Sequence, residues 1–146
     1  MLHTTSPLGQ PQHESMVFEH PGRRRARRLR VYIADRSVHC AGRTLDLARS
    51  PAMLQLFRAF FATRDGKVRR ETLLYFMNNF RELASSSERY LESRRSNCIK
   101  MLSRARLLAD THLQGPETAE FDWFPYDHAS KTWSLLGVRK ARRRRR

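Results

Sequence analysis

The sequence predicts an α+β domain: a small N-terminal antiparallel β-sheet, three helices and a C-terminal β-hairpin. Three observations carry this expectation. Apolar residues alternate with polar ones at Leu29, Val31 and Ile33, and again at Val38 and Cys40, which is the two-residue period of a half-buried strand. From Ser50-Pro51 the apolar spacing lengthens to three and four residues, as in helices. After Gly115-Pro116 the helical signal stops, and Phe121 and Trp123, then Trp133 and Leu135, flank a polar turn and form one face of two strands.

Residues 1–22 mix Pro, Gly, Gln, His, Ser and Thr without sustained apolar periodicity. Residues 1–28 are therefore expected to be a disordered leader ending in a basic arm, with Met16, Val17 and Phe18 as local contacts. Asp35-Arg36 and Gly42 punctuate the strands that follow. At Ser50-Pro51 the serine can accept the first free backbone N–H groups and proline suits the first helical position. The first helix buries a broad face of Met53, Leu54, Leu56, Phe57, Phe60 and Phe61, and Arg64-Asp65-Gly66 ends it. Lys67 and Val68 suit a short strand. Arg70 opens a second helix with a stripe of Leu73, Phe76, Met77 and Phe80, and Glu71 in its first turn complements the helix dipole.

Residues 78–87 read as a connecting loop anchored by Phe80 and Leu83, and Ser85 to Ser87 are candidate caps for the third and longest helix, about 88–109. The folded domain is expected over 29–137, followed by an Arg-rich disordered tail over 138–146. Strands, three helices and a hairpin, in that order, make a winged helix-turn-helix of the variant with an added N-terminal sheet.

At this point the sequence resembles the DNA-binding effector domain of OmpR/PhoB-class response regulators. The matching pieces are the strands ending in Gly42-Arg43-Thr44-Leu45-Asp46-Leu47, the Leu/Phe-rich first helix, Gly66-Lys67-Val68-Arg69-Arg70-Glu71-Thr72-Leu73, and Ile99-Lys100-Met101-Leu102-Ser103-Arg104-Ala105-Arg106. The resemblance implies that the helix containing Ile99 to Arg106 enters the DNA major groove and that the terminal hairpin is the wing. It implies a transcription regulator, and the chain is expected to be a stand-alone bacterial-type one that departs from the family in having no receiver domain, cytoplasmic and associated with the nucleoid. Duplex DNA is then the principal partner, with RNA and RNA polymerase or another regulator as further ones.

Charge points the same way. The chain carries 29 Lys and Arg against 14 Asp and Glu, a net charge of +15, which calls for a polyanionic partner. Most of the excess sits at the ends: residues 23–30 hold six Arg and residues 139–146 hold seven basic side chains. On a helical wheel Leu91, Cys98, Leu102, Ala105 and Ala109 share one face of the third helix, and Ser96, Asn97, Lys100, Ser103 and Arg104 fall opposite. Spacing alone is equally met by a merely solvated face. The fold order turns that face toward the groove, where Asn97, Lys100 and Arg104 form a base-reading set. Arg94, Arg95 and Arg106 suit backbone clamping, Lys131 marks the hairpin tip, and Arg142, Arg143, Arg144, Arg145 and Arg146 suit phosphates or the minor groove.

Other readings are weaker. The rival classes are an RNA-binding or nucleoid-structuring protein that relies on its basic arms, and a protein-interaction winged domain that leaves Lys100 and Arg104 unused. The six His show neither close His/Cys pairs nor a His-x-x-x-His spacing, so no metal site is expected. Asp127, His128 and Ser130 carry the letters of a catalytic triad but crowd one turn, and no Gly-rich loop suits a nucleotide phosphate, so neither an enzyme, a cofactor nor a small-molecule ligand is expected. No apolar run is long enough to span a membrane. Cys40 and Cys98 allow one bridge at most and are expected as reduced, buried thiols.

Overall fold

The structure, a computed structural model, describes residues 15–20, 27–77 and 87–139. It is an α+β arrangement of three helices and antiparallel sheets. Strands β1 (Ser15–His20), β2 (Arg27–Ala34), β3 (Ser37–Cys40) and β4 (Arg43–Asp46) form a four-stranded meander in that order. Two-residue turns set its register: Asp35-Arg36 joins the Ala34–Ser37 pair and Ala41-Gly42 joins the Cys40–Arg43 pair. All four turn residues have positive φ, between 51° and 76°, the twist that two-residue hairpins between right-twisted strands require. Period-two alternation then turns Leu29, Val31, Ile33, Val38, Cys40 and Leu45 into the core.

The sheet starts earlier than the sequence suggested. Ser15–His20 lies within the expected leader, yet it pairs with β2 from Ser15–Tyr32 to His20–Arg27, and Met16 is buried. A strand of this kind has little periodicity of its own, because only Met16 and Phe18 pack inward while Val17 is 56% exposed. Arg27 and Arg28, expected in the basic arm, are also strand residues, at the start of β2, because β1 pairs with them; the remainder of the expected leader, residues 1–14 and 21–26, lies outside the described residues.

Helix α1 (Pro51–Phe61) starts at the expected Ser50-Pro51, but the Ser50 side chain makes no capping hydrogen bond. Proline at the first helical position lacks an N–H that would find no partner within the helix, and its fixed φ suits the helix start. The helix ends at Phe61, before Arg64-Asp65-Gly66, and the chain passes into β5 (Lys67–Arg69) and then α2 (Arg70–Met77). Gly66 has φ +68°, and a side chain there would crowd Met16 and Phe18, so this turn favours glycine first for its backbone and then for its space. Of the expected second-helix stripe, Phe80 lies outside the described residues, as do the Leu83 anchor and Ser85 and Ser86.

Helix α3 (Glu88–His112) is capped by Ser87, whose hydroxyl oxygen accepts from Tyr90 N–H. A single 3-10 turn, Pro116–Thr118, leads to the terminal strands β6 (Phe121–Trp123), β7 (Tyr126–Asp127), β8 (Thr132–Ser134) and β9 (Leu136–Val138). These form a hairpin in two ladders. β6 pairs with β9, while β7 pairs with β8, which also pairs with β5 to make a three-stranded sheet. The break lies at Phe124, where φ is +54° and the N–H still reaches Leu135 O at 3.0 Å. It turns the Phe124 ring into the core, 5.2 Å from both Phe57 and Phe60. The break also separates the residues expected on one face: Phe121, Trp123 and Leu135 are buried, whereas Trp133 is only partly buried and lies tilted against Tyr126.

Candidate nucleic-acid interface

The amphipathic stripe of α3 is narrow. Cys98, Leu102, Ala105 and Ala109 are its buried residues, and small side chains at three of the four bring the helix close to α1, α2, β4 and β6. Leu91, on the same wheel face, is only half-buried near the helix start. Ser96, Asn97, Lys100, Ser103 and Arg104 are exposed on the other side. Residues 93–109 contain five cationic side chains and no carboxylate. The ion pairs among the described residues, Arg28–Glu19, Arg70–Glu71 and Arg139–Asp122, involve none of them.

The structure gathers Arg94, Asn97, Lys100 and Arg104 around a depression of about 430 Å³ that Gln55 of α1 and Met77 of α2 also line. Ser96 and Ser103 lie on the outward surface beside it. Such a set offers Arg and Lys donors and an Asn that can both donate and accept, which is the chemistry of base edges and phosphates.

Arg95 departs from this group. It turns toward the hairpin and lines a second cleft, with its Nε buried and without a partner. Arg106 is not a free clamp either. Its Nε donates to Trp123 O at 3.0 Å and its Nη2 to Phe124 O at 2.7 Å, so it latches α3 onto the strained corner of the hairpin. Nearby, burial raises the pKa of the Asp110 carboxyl; Arg106 and Arg139 partly offset this and Asp122 adds to it.

Lys131 is exposed at the hairpin tip with φ +53°, and its carbonyl accepts from Arg70 N–H at 2.9 Å, tying the tip to the start of α2. Burial alone would raise the Glu71 carboxyl, but a backbone hydrogen bond, the Arg70 guanidinium and the Lys131 charge outweigh it and hold the group below its ordinary range. At the same tip the Asp127 carboxylate accepts from Ser130 O–H at 2.5 Å and Ala129 N–H at 3.3 Å, the pattern of a side chain closing its own turn. Arg142, Arg143, Arg144, Arg145 and Arg146 lie outside the described residues.

The cleft beside Arg95 was not anticipated from sequence. It is lined by Arg70, Leu74, Arg95, Cys98, Ile99, Tyr126, His128 and Trp133 and encloses about 400 Å³. Ile99 stands next to the buried stripe rather than on it and is 52% exposed. The opposed Tyr126–Trp133 pair across the hairpin was the one available signal.

Among the described residues no group of three His, Cys, Asp or Glu is placed to hold a metal ion, and no helix is long and apolar enough to cross a membrane. Comparison with known protein families, with curated proteins and with solved structures finds no match for this chain.

Proposed function

We propose that this chain is a winged helix-turn-helix DNA-binding protein, similar to the OmpR/PhoB effector class, that acts as a transcription regulator. In this reading α3 is the recognition helix and the β7–β8 hairpin is the wing. The observation that carries it is the α3 surface: Arg94, Lys100 and Arg104 line one depression, residues 93–109 hold no carboxylate, and Asn97, Lys100, Ser103 and Arg104 are exposed and unburdened by ion pairs among the described residues. The order of elements supports it further. A strand between the first and second helices joins the terminal hairpin in one sheet, which holds the hairpin beside the helices.

Recognition divides between two kinds of contact. Asn97, Lys100 and Arg104 read base edges in the major groove, and Arg94, Lys131 and the Arg-rich arms neutralise phosphates. The arms add affinity through counterion release without adding sequence preference.

The test is competition binding of the full chain to three probes: a duplex selected from a genomic or random library, a random duplex of equal length, and a structured RNA. The expected result is a preference for the selected duplex of roughly 10³-fold over random duplex, as specific regulators show. Equal affinity for all three, or tightest binding to RNA, would replace this reading with that of an RNA-binding or nucleoid-structuring protein.

A further inference from the structure

We infer that the cleft between α3 and the terminal hairpin is a binding site for a small aromatic anion. The hairpin lines it with rings: Tyr126 and Trp133 lie with centroids 4.6 Å apart, and His128 meets Tyr126 edge-on at 4.8 Å. The helices line it with Leu74, Cys98 and Ile99. Its volume of about 400 Å³ falls within the range of small-molecule pockets, which are mostly apolar with a few placed polar groups.

The polar groups here are of one sign. Arg70 and Arg95 are charged lining residues, and no carboxylate lines the cleft among the described residues. Glu71 Oε1 already engages Arg70 at 3.1 and 3.2 Å. Among the described residues Arg95 has no such partner, and its Nε is buried without a hydrogen bond. A carboxylate or sulfonate meets a guanidinium that lines such a cleft with two parallel bonds.

Each half of the cleft selects against simpler occupants. An inorganic anion would satisfy Arg95 but leave the rings and the half-exposed Ile99 against water. A neutral hydrophobe would cover the rings and leave Arg95 unpaired. A planar ring system bearing one acid group meets both demands, with the ring against Tyr126, Trp133 and Ile99 and the acid on Arg95. The site does not depend on nucleic-acid binding and is tested in its absence.

The experiment is calorimetric titration of the full chain with 1-naphthoate, and in parallel with the neutral 1-naphthalenemethanol. The expected result is one naphthoate per chain, with the alcohol bound at least about tenfold more weakly. Arg95→Gln should weaken naphthoate about tenfold. It removes one of 29 basic residues, so diffuse attraction of anions to the chain would survive it. Ile99→Glu, at an exposed position, should abolish naphthoate binding while near-ultraviolet circular dichroism stays unchanged, which keeps the test open if Arg95→Gln misfolds. No binding up to 1 mM, equal binding of acid and alcohol, or unchanged naphthoate affinity in a folded Arg95→Gln or Ile99→Glu variant would each overturn the proposal.

Discussion

Helix α1 and helix α3 use their sequences in opposite ways. In α1 seven of 11 residues are buried, among them Phe57, Phe60 and Phe61. In α3 four of 25 are buried, and three of those four are Cys or Ala. Packing therefore accounts for most of α1 and for only a thin line of α3. What remains on α3 runs against stability: Lys100 and Arg104 are like charges one turn apart, a spacing that destabilises a helix slightly. A polyanion lying along that face would remove the repulsion, and the proposed DNA interface gives the excess charge a use.

The contrast can be broken first at its stable end. Phe57→Ala should lower unfolding free energy by about 3–5 kcal/mol, measured by urea denaturation, because the ring is fully buried against Phe124. A reduction below about 1 kcal/mol would mean that α1 does not anchor the core.

The link between the two helices' domains of influence is Arg106, whose latch on Trp123 O and Phe124 O serves the fold although it lies on the charged helix. Arg106→Ala should cost about 2 kcal/mol by the same measurement, since two charge-assisted hydrogen bonds disappear and their carbonyl acceptors are left without a donor. A change within about 0.5 kcal/mol would return Arg106 to the set of free cations.

A smaller effect comes from the thiols. Burial raises Cys40 to about 11, with Glu117 adding to it, and raises Cys98 to about 11, with Arg94 partly opposing it. Each folded value lies above the ordinary 9.0, so between these limits the native state holds more protons than the unfolded one. Their contribution is thus complete below pH 9 and is lost as pH rises toward 11, by about 1 kcal/mol per thiol at pH 10. Unfolding curves from pH 8 to 10.5 should show this fall, and Cys40→Ala with Cys98→Ala should flatten it; an unchanged slope in the double variant would contradict it.

The C-terminal arm should matter least to the fold and most to salt dependence. Arg139 already pairs with Asp122 at 2.9 Å, so the arm proper begins at Lys140. Deleting residues 140–146 removes six cations, and should reduce the slope of log affinity against log salt by at most about five units while leaving the ranking of DNA sequences intact. An unchanged slope would show the arm idle on DNA.

The same contrast explains what the sequence disclosed. α1 was legible because six large apolar residues repeat at helical spacing, and the exposed face of α3 was legible because Ser96, Asn97, Lys100, Ser103 and Arg104 fall opposite a clean stripe. β1 was not, because a six-residue strand with two inward side chains has almost no pattern until β2 supplies its partner. Arg106 was misread, and the cleft beside Ile99 was missed, for a related reason. Periodicity places a residue on a helix face, but the hairpin that meets that face is distant in sequence, and only its position tells a latch from a clamp or shows that a cleft is there. Phe124 is a further case: its positive φ and inward ring follow from the aromatic pocket made by Phe57 and Phe60, not from any local turn signal.

The central claim is that α3 reads bases, and the Lys100→Ala, Arg104→Ala double variant tests it most directly when its affinities for a selected and a random duplex are compared with those of the wild-type chain. Its unfolding free energy should move by no more than about 0.5 kcal/mol, as for exposed positions generally. The account predicts that preference for the selected duplex falls by about 1–3 kcal/mol for each base that is no longer read, with a much smaller decrease in affinity for random duplex. Equal decreases on the two duplexes would reduce α3 to a phosphate clamp, and no decrease on either would remove it from the interface.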